Sequence, residues 1–257
     1  MKHFLKISSL ALAILLVGCN LETVEQQQVL ELDASHIDSF LIDHDEGDVQ
    51  IRSSDSANMI EVEATFSAIS SEEELAAAFL ERNLTLSLEN VDGVAMLKTS
   101  IKRIANESEE GDIHLEITVP AHLKVELKQN AGKLHIQGLQ EELAVQHGTD
   151  SLVIEDVEAN VTITDGAGSV QLMNVIGETR INNATGHTVV ADSAGDIVIT
   201  NGTGDVELEG FNGTVSVRSG AGHISINHVD GDVTIIESAQ GNVEIENVTG
   251  EIVNFVK

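Results

Sequence analysis

The 257-residue sequence predicts an all-β fold, a β-solenoid in which nine-residue units of one strand and one corner stack along an axis. Three observations predict this fold. The first is a glycine at every ninth residue, because a short fixed period is typical of a stacked repeat. The periodic glycines are Gly168, Gly177, Gly186, Gly195, Gly204, Gly213, Gly222 and Gly231, followed by Gly241 and Gly250.

The second observation is an alternation of apolar and polar residues within each unit. If the glycine is counted as place 1, places 3 and 5 are apolar and place 4 is mostly polar, as in Val206-Glu207-Leu208. Residues two apart in a strand point to the same face, so places 3 and 5 are predicted to face inward. Successive fifth-place residues should then stack in the core, on two walls in alternation: Ile199, Leu208, Val217, Ile226 and Ile235.

The third observation is that place 8 alternates between large residues, such as Val157 and Phe211, and small ones, such as Gly148. Unlike corners in alternate units predict two units per coil, so that one coil has 18 residues and about seven coils fit between residues 130 and 257. At ~4.8 Å per coil the stack would be a rod roughly 35 Å long. Place 7 holds small polar residues, which suit tight corners. The alternative fold, an antiparallel sandwich of short strands, predicts irregular spacing and hairpin turns instead.

The N-terminal residues predict a lipoprotein signal peptide over residues 1–18. Two lysines precede an apolar run that is too short to span a membrane as a helix. The segment Leu16-Val17-Gly18-Cys19 resembles the lipobox of bacterial lipoproteins, which implies cleavage before Cys19 and attachment to the membrane through lipid on that residue. Asn20 stands where an inner-membrane retention signal would have Asp, so the resemblance implies an outer-membrane lipoprotein of the bacterial cell envelope. Cys19 is the only cysteine, which excludes an intramolecular disulfide.

The chain after the signal peptide is predicted to have three parts: a lipid anchor with a short polar tether (19–29), an irregular N-terminal β region with a capping helix (30–130), and the regular solenoid repeats (131–257). The helix is predicted over residues 71–81, where Ser71 and Glu74 can form a capping box. We expect it to cover one end of the stack, because an uncovered sheet edge invites further pairing.

An ordered set of motifs resembles a known family. The motifs are G-D-V-x-I at 47–51, H-L-E-I-T-V-P-A at 114–121, L-K-V-E-L at 123–127, N-A-G-K-L-H-I at 130–136, and then repeated G-D-V/I-x-I/L. This order is similar to the bacterial β-strand-repeat family whose members are described as putative adhesins, a domain of unknown function. The resemblance covers about residues 30–257 and implies a β-solenoid located in the cell envelope. It implies no catalytic residues.

The chain is strongly acidic, with a net charge of −30. Removal of residues 1–18 takes away two lysines and no acids, which leaves 11 basic and 43 acidic residues and a net charge of −32. Nucleic acids and anionic lipid headgroups are therefore poor partners, and we expect no binding of nucleic acid. The acidity favours a role in solubility over the alternative, binding of cations or basic surfaces, and a protein or cell-surface ligand remains as a class of partner.

One acidic patch is the only candidate for a metal site: Asp205, Glu207, Glu209, Glu244 and Glu246. Oxygen-rich ladders can hold Ca²⁺. The calcium-binding nonapeptide, however, has extra glycines and one apolar place, whereas this repeat has two apolar places and usually one glycine. We therefore expect no metal and no cofactor.

The sequence also predicts that the protein is not an enzyme. The ten histidines share no repeated neighbour, and no hydrolase, zinc-protease or phosphate-loop motif is found. Two functions remain open. One is a structural or adhesion-type binding module anchored by lipid, and the other is a periplasmic accessory protein that binds a membrane or protein partner. A module that binds cations is a less favoured third.

Overall fold

The computed structural model describes residues 7–15, 21–103 and 109–255 of the chain. In chain order the elements are β1 (Ile7–Leu15), β2 (Glu22–Asp33), β3 (Ser39–Glu46), β4 (Val49–Ser54), β5 (Met59–Ser70), α1 (Glu73–Asn83), β6 (Leu84–Val91), β7 (Val94–Ile101), β8 (Glu110–Pro120), β9 (Lys124–Ala131), β10 (Leu134–Gln137), β11 (Leu143–Thr149), β12 (Leu152–Val157), β13 (Val161–Ala167), β14 (Val170–Val175), β15 (Thr179–Thr185), β16 (Thr188–Thr203), β17 (Val206–Ala221), β18 (Ile224–Asp230), β19 (Val233–Gln240), β20 (Val243–Val248) and β21 (Ile252–Asn254).

The predicted β-solenoid is confirmed, with about seven coils of about 18 residues. Its strands form two walls of parallel ladders. Wall A contains β3, β9, β11, β13, β15, the second halves of β16 and β17, β19 and β21. Wall B contains β4, β10, β12, β14, the first halves of β16 and β17, β18 and β20. From β9 to β18 each residue pairs with the residue 18 positions along, which is the coil length that the alternation at place 8 predicts.

The core lies between the two walls, and the predicted places fill it. Ile199, Val217 and Ile235 stack on wall A and are fully buried. Leu208 and Ile226 stack on wall B and are at most 2% exposed. The large residues at place 8 are buried beside them, Val157 and Phe211 among them. Burial of apolar surface along an uninterrupted stack is what stabilises a fold whose units contact only their neighbours.

The two kinds of corner differ in backbone conformation. Where the chain leaves wall B, place 7 has a positive φ in every coil: Gly138, Asp156, Asn174, Asp192, Gly210, His228 and Asn247. Asn and Asp tolerate this left-handed conformation better than other residues with a side chain, which explains their repetition there. The close approach of neighbouring coils is a second reason for the periodic glycines. Gly186 has φ +142°, and a Cβ on it would overlap the carbonyl of Gly168 one coil away.

The first coil is interrupted by an insertion that builds the closed end of the rod. The chain makes β3 and β4, leaves the stack, and returns at β9 to pair with β3. Within the insertion, β7 and β8 form a further coil that pairs parallel with β3 and β4 on their other side. Antiparallel strands then close both walls, β6 on β7 and β5 followed by β2 on β8. The nine-residue frame is lost here because antiparallel strands need no fixed coil length.

Helix α1 packs against β5, β2 and β6 at this closed end, as the prediction of a capping helix requires. Ala76, Phe79 and Leu80 are its buried apolar residues. The predicted capping box is wrong. The helix begins at Glu73, two residues later than predicted, with Glu72 as an extended N-cap that makes no side-chain cap bond, so Ser71 lies outside the helix.

The predicted tether is also wrong for most of its length. Residues 22–29 belong to β2, which pairs with β5 along its whole length. Three consecutive glutamines look like a linker in sequence, but the backbone pairs regardless of the polar side chains, and Val24 is buried. Within the predicted signal peptide, residues 7–15 form β1, which pairs among the described strands only with β2. The signal peptide itself stays a prediction.

Candidate functional site

The predicted lipidation site, Cys19, lies outside the described residues. The described chain resumes at Leu21, which is exposed, and β2 begins at Glu22. Since β2 belongs to the closed end of the rod, an anchor at Cys19 would hold the rod by that end. No helix among the described residues is long and apolar enough to cross a membrane.

The predicted acidic patch occupies the outer face of wall B. Glu207 and Glu209 point outward from β17, and Glu244 and Glu246 point outward from β20. Strand β18 lies between the two pairs and presents Ser225 and Asn227, so the carboxylates are two coils apart, as the coil model predicts.

Histidines and backbone groups, rather than one another, are the partners of these acids. His228 Nδ1 lies 2.9 Å from Glu209 Oε1, and His223 Nε2 lies 3.6 Å from Glu244 Oε2. Asp205 sits at the corner, where its Oδ1 accepts a hydrogen bond from the His223 backbone N–H at 2.8 Å. Within residues 21–103 and 109–255, no three His, Cys, Asp or Glu side chains converge in a way that could hold a metal ion.

The outer face of wall A has the opposite character. We define the acid-free face as places 4, 6 and 8 of five successive rungs, from β11 to the second half of β17. Place 4 of these rungs holds Ala144, Thr162, Arg180, Val198 and Ser216. Place 6 holds Gln146, Thr164, Asn182, Thr200 and Arg218. Place 8 holds only glycine and alanine: Gly148, Gly166, Ala184, Gly202 and Gly220. No acidic side chain stands at any of these places, although the chain contains 43 acids.

The small residues at place 8 leave a shallow groove along one side of the acid-free face. A depression of about 400 Å³ extends from Lys128 to Ala184, with Gly148 and Gly166 among its lining residues. Amide and hydroxyl side chains border it, including Gln146 and Thr164. The face is therefore flat, polar and nearly uncharged, with a groove parallel to the axis of the rod.

Beneath this face runs a buried polar ladder, which the sequence did not predict as a buried feature. It consists of the seventh-place residues of wall A and their equivalents at the closed end: Thr99, His44, Gln129, His147, Asp165, Asn183, Asn201 and Ser219, each at most 5% exposed. Place 7 is polar at both corners, so the period alone could not tell the buried row from the exposed one. The signal that separates them is place 8, which is small above the buried row and large on the other corner, with Ser193 as the one exception there.

The surroundings shift the pKa values of two histidines of the ladder in opposite directions. His44 Nε2–H donates to Gly47 O at 3.1 Å, and Nδ1 lies 2.9 Å from the Thr99 hydroxyl, which can donate to it. Burial lowers the pKa of His44 to about 4, so that it is neutral at pH 7.

His147, in contrast, faces an acceptor at each ring nitrogen. Its Nδ1 lies 2.6 Å from Asp165 Oδ1 and its Nε2 lies 2.9 Å from Gly132 O. Both side chains are fully buried. Burial alone would lower the pKa of His147, but the hydrogen bonds to Asp165 and to the Gly132 carbonyl, together with the Asp165 charge, outweigh it and raise the pKa. An acceptor at each ring nitrogen and a raised pKa both favour the doubly protonated ring, whose charge the Asp165 carboxylate balances.

Several polar atoms of the ladder have no hydrogen-bond partner among the described residues: Gln129 Oε1, Asp165 Oδ2, Asn183 Oδ1 and Ser219 Oγ. Other polar atoms are bonded, since Asn201 Nδ2 donates to Gly204 O at 2.7 Å and Thr188 Oγ1 donates to Asn201 Oδ1 at 3.2 Å. A buried network of this kind fixes the register of the coils, because a displaced rung would lose its partners.

No protein-family model matches the sequence, and no curated protein matches it. Three solved structures are similar to the chain. A protein described as a putative adhesin from Bacteroides fragilis NCTC 9343 is 14% identical, with 89% of this chain and 97% of that chain covered and a TM-score of 0.40. A protein described as a putative cell adhesion protein from Clostridium sporogenes ATCC 15579 is 11% identical, with 91% and 100% covered and a TM-score of 0.30. A protein described as a putative adhesin from Parabacteroides merdae ATCC 43184 is 14% identical, with 88% and 96% covered and a TM-score of 0.28. The resemblance to the β-strand-repeat family stays a prediction.

Proposed function

We propose that the protein is a non-enzymatic, adhesion-type binding module of the bacterial cell envelope, held in the outer membrane by lipid on Cys19. The observation that carries the proposal is the difference between the two ends of the rod. The strand that follows Cys19, β2, belongs to the end on which helix α1 packs, whereas the other end, formed among the described residues by β20 and β21, carries no helix. A lipid anchor at Cys19 would hold the closed end at the membrane and present the open end and the two walls to a partner.

The open end is formed by β20 and β21, each of which pairs with only one described strand. The inward places of these rungs are less buried than elsewhere. Ile252 is 48% exposed, and Phe255 beyond it is 66% exposed. Unpaired backbone groups beside exposed apolar side chains are suited to contact with another protein surface.

Surface exposure of the protein tests the proposal. Protease added to intact cells should degrade the wild-type protein, while a periplasmic marker protein survives as the control. The matched variant is Cys19→Ser, which should no longer be retained in the outer-membrane fraction. Loss of adhesion of the cells to surfaces or to other cells in the deletion strain, restored by the wild-type gene and not by Cys19→Ser, would support the adhesion-type role.

The second candidate is a periplasmic accessory protein that binds a membrane or protein partner, and the open strands of the far end also favour it. Such a strand edge can accept an extended segment of another protein by strand addition. Protection from protease in intact cells, with digestion after the outer membrane is opened, would support this candidate and would contradict surface adhesion. A pull-down from membranes with the lipidated protein would then identify the partner.

A further inference from the structure

The distribution of charge restricts how two copies of this protein can meet. With a net charge of −30, two copies repel each other on most of their surfaces. The acid-free face is the described surface on which five successive rungs contribute no carboxylate. We infer that two copies pack through their acid-free faces, with the two rods parallel and related by a two-fold axis that runs along the rod. This inference goes beyond the proposed function and does not depend on it.

The cations of this face do not change its near-neutral character, because they are already paired with acids at its margins. Arg180 Nη2 lies 2.6 Å from Glu178 Oε1, and Arg218 Nη1 lies 2.7 Å from Glu237 Oε2. The face therefore has no excess positive charge that would favour a polyanion over a second copy. The chain has no Trp or Tyr, so the face also lacks the aromatic side chains that dominate most binding hot spots.

The shape of the face favours the parallel arrangement. Place 4 carries side chains of mixed size, of which Arg180 and Val198 are the largest, and place 8 carries only glycine and alanine, with the depression lying along the first three of the five rungs. A two-fold axis along the rod, above place 6, sets place 4 of one copy over place 8 of the other. The side chains of place 4 would then fill the groove of the partner copy. In an antiparallel arrangement place 4 would meet place 4, and the two grooves would face each other empty.

The charges at the two margins favour the same arrangement. The margin that precedes the strands carries three acids at place 2, Glu142, Glu178 and Asp196, together with Asn160 and Thr214. The margin that follows them carries only threonine and alanine at place 9: Thr149, Ala167, Thr185, Thr203 and Ala221. Parallel rods place the acidic margin of each copy over the neutral margin of the other, whereas antiparallel rods would bring the two acidic margins together. Parallel rods also have both closed ends on the same side.

The size of the face sets the expected affinity. Five rungs at ~4.8 Å and about seven strand residues at ~3.3 Å give a patch of roughly 24 Å by 23 Å, or ~550 Å² for each copy. Stable interfaces bury about 800 Å² on each partner, so this one belongs to the weak class. We expect a dimer with a dissociation constant in the range of about 10–100 μM, and we expect NaCl to strengthen it by screening the long-range repulsion.

Sedimentation equilibrium of the purified full chain, in a neutrally buoyant detergent at low and high NaCl, tests association. The variant Val198→Glu adds a carboxylate at place 4 of the acid-free face and should weaken the dimer at least tenfold. The matched control Val153→Glu makes the same change at place 4 of wall B and should leave the dissociation constant unchanged. A wild-type protein that is monomeric at 300 μM in both salts, or an equal effect of the two variants, would overturn the inference.

Cross-linking tests the orientation. In the Cys19→Ser background, single cysteines are introduced at place 6 by Thr164→Cys or Thr200→Cys, on the second and fourth of the five rungs, which would face each other in antiparallel rods. In parallel rods each cysteine lies opposite its own copy, so each variant alone should form a disulfide-linked dimer. If neither variant forms a dimer alone and a mixture of the two forms the mixed dimer, the rods are antiparallel and the proposed arrangement is wrong.

Discussion

Removal of the carboxylate of Asp165 is predicted to cost far more stability than other changes in the buried polar ladder. In Asp165→Ala the ring of His147 keeps Gly132 O as an acceptor but loses the one at Nδ1, which is 2.6 Å away in the wild type. Both side chains are fully buried beneath the depression, so the variant leaves the ring without its charged partner. Breaking a buried ion pair by removing one partner costs about 3–5 kcal/mol. The control is Ser219→Ala in the same ladder, which removes a buried hydroxyl with no partner and should change the free energy of unfolding by less than about 1 kcal/mol.

The dependence of this loss on pH gives a sharper check than its size. Because folding raises the pKa of His147, the pair contributes its full free energy of unfolding below the pKa that the histidine has in the unfolded chain, ~6.5. That contribution is lost as the pH rises through the pKa of His147 in the folded protein. In Asp165→Ala, burial is the main remaining influence, and it lowers the pKa. Urea unfolding of both proteins from about pH 5.5 to about pH 9 should show a difference in free energy that is largest at low pH and shrinks as the pH rises. A difference that is below about 1 kcal/mol, or equal at all pH values, would refute the account of the buried ion pair.

Three further predictions concern the core, the anchor and the acidic patch. Ile226→Asp puts an unpaired charge in the core and should cost several kcal/mol in urea unfolding, whereas Glu207→Lys on the outer face should cost little; equal melting of the two variants would mean that the register is wrong. Cys19→Ser should abolish incorporation of labelled fatty acid, and label on the variant would exclude that cysteine as the lipidation site. Calorimetry in high NaCl should show no rise in melting temperature at micromolar Ca²⁺, because the carboxylates of the acidic patch are two coils apart. A saturable rise that disappears when the patch is substituted would instead establish a calcium site.

The periodic part of the fold could be predicted because each place in the repeat has one physical role. Apolar residues such as Ile226 at place 5 face inward, and the alternation at place 8 gives the coil its 18 residues. The N-terminal region could be predicted only in outline. Its strands and helix follow from local patterns, but the insertion of β7 and β8 beyond β3 is a matter of topology. Nothing in the local sequence reports the partner of a strand when the pairing residues are 55 or more positions apart.

The candidate site was harder to predict than the fold, for two different reasons. The acidic patch can be predicted from sequence because it consists of acidic residues at regular places, Glu207 and Glu209 among others. The acid-free face is defined by the absence of acidic residues from places 4, 6 and 8 of alternate units. It can be recognised only after the units are assigned to the two walls. The ion pair of His147 and Asp165 requires the same sorting, since the two residues are 18 positions apart and share a corner that is buried.

The deletion of one coil tests the central claim, an 18-residue coil with two unlike walls, most directly. Removal of residues 170–187 takes out 18 residues and joins place 2 to place 3 on the same wall, so every remaining strand keeps its ladder. Removal of residues 170–178 takes out nine residues and so moves each later strand to the other wall. The buried seventh-place residues of wall A would then stack on the left-handed corners of wall B. Small-angle scattering with thermal unfolding should find the first variant folded and shorter by ~4.8 Å, and the second unfolded or strongly destabilised. Two variants that fold and melt alike would contradict the claim.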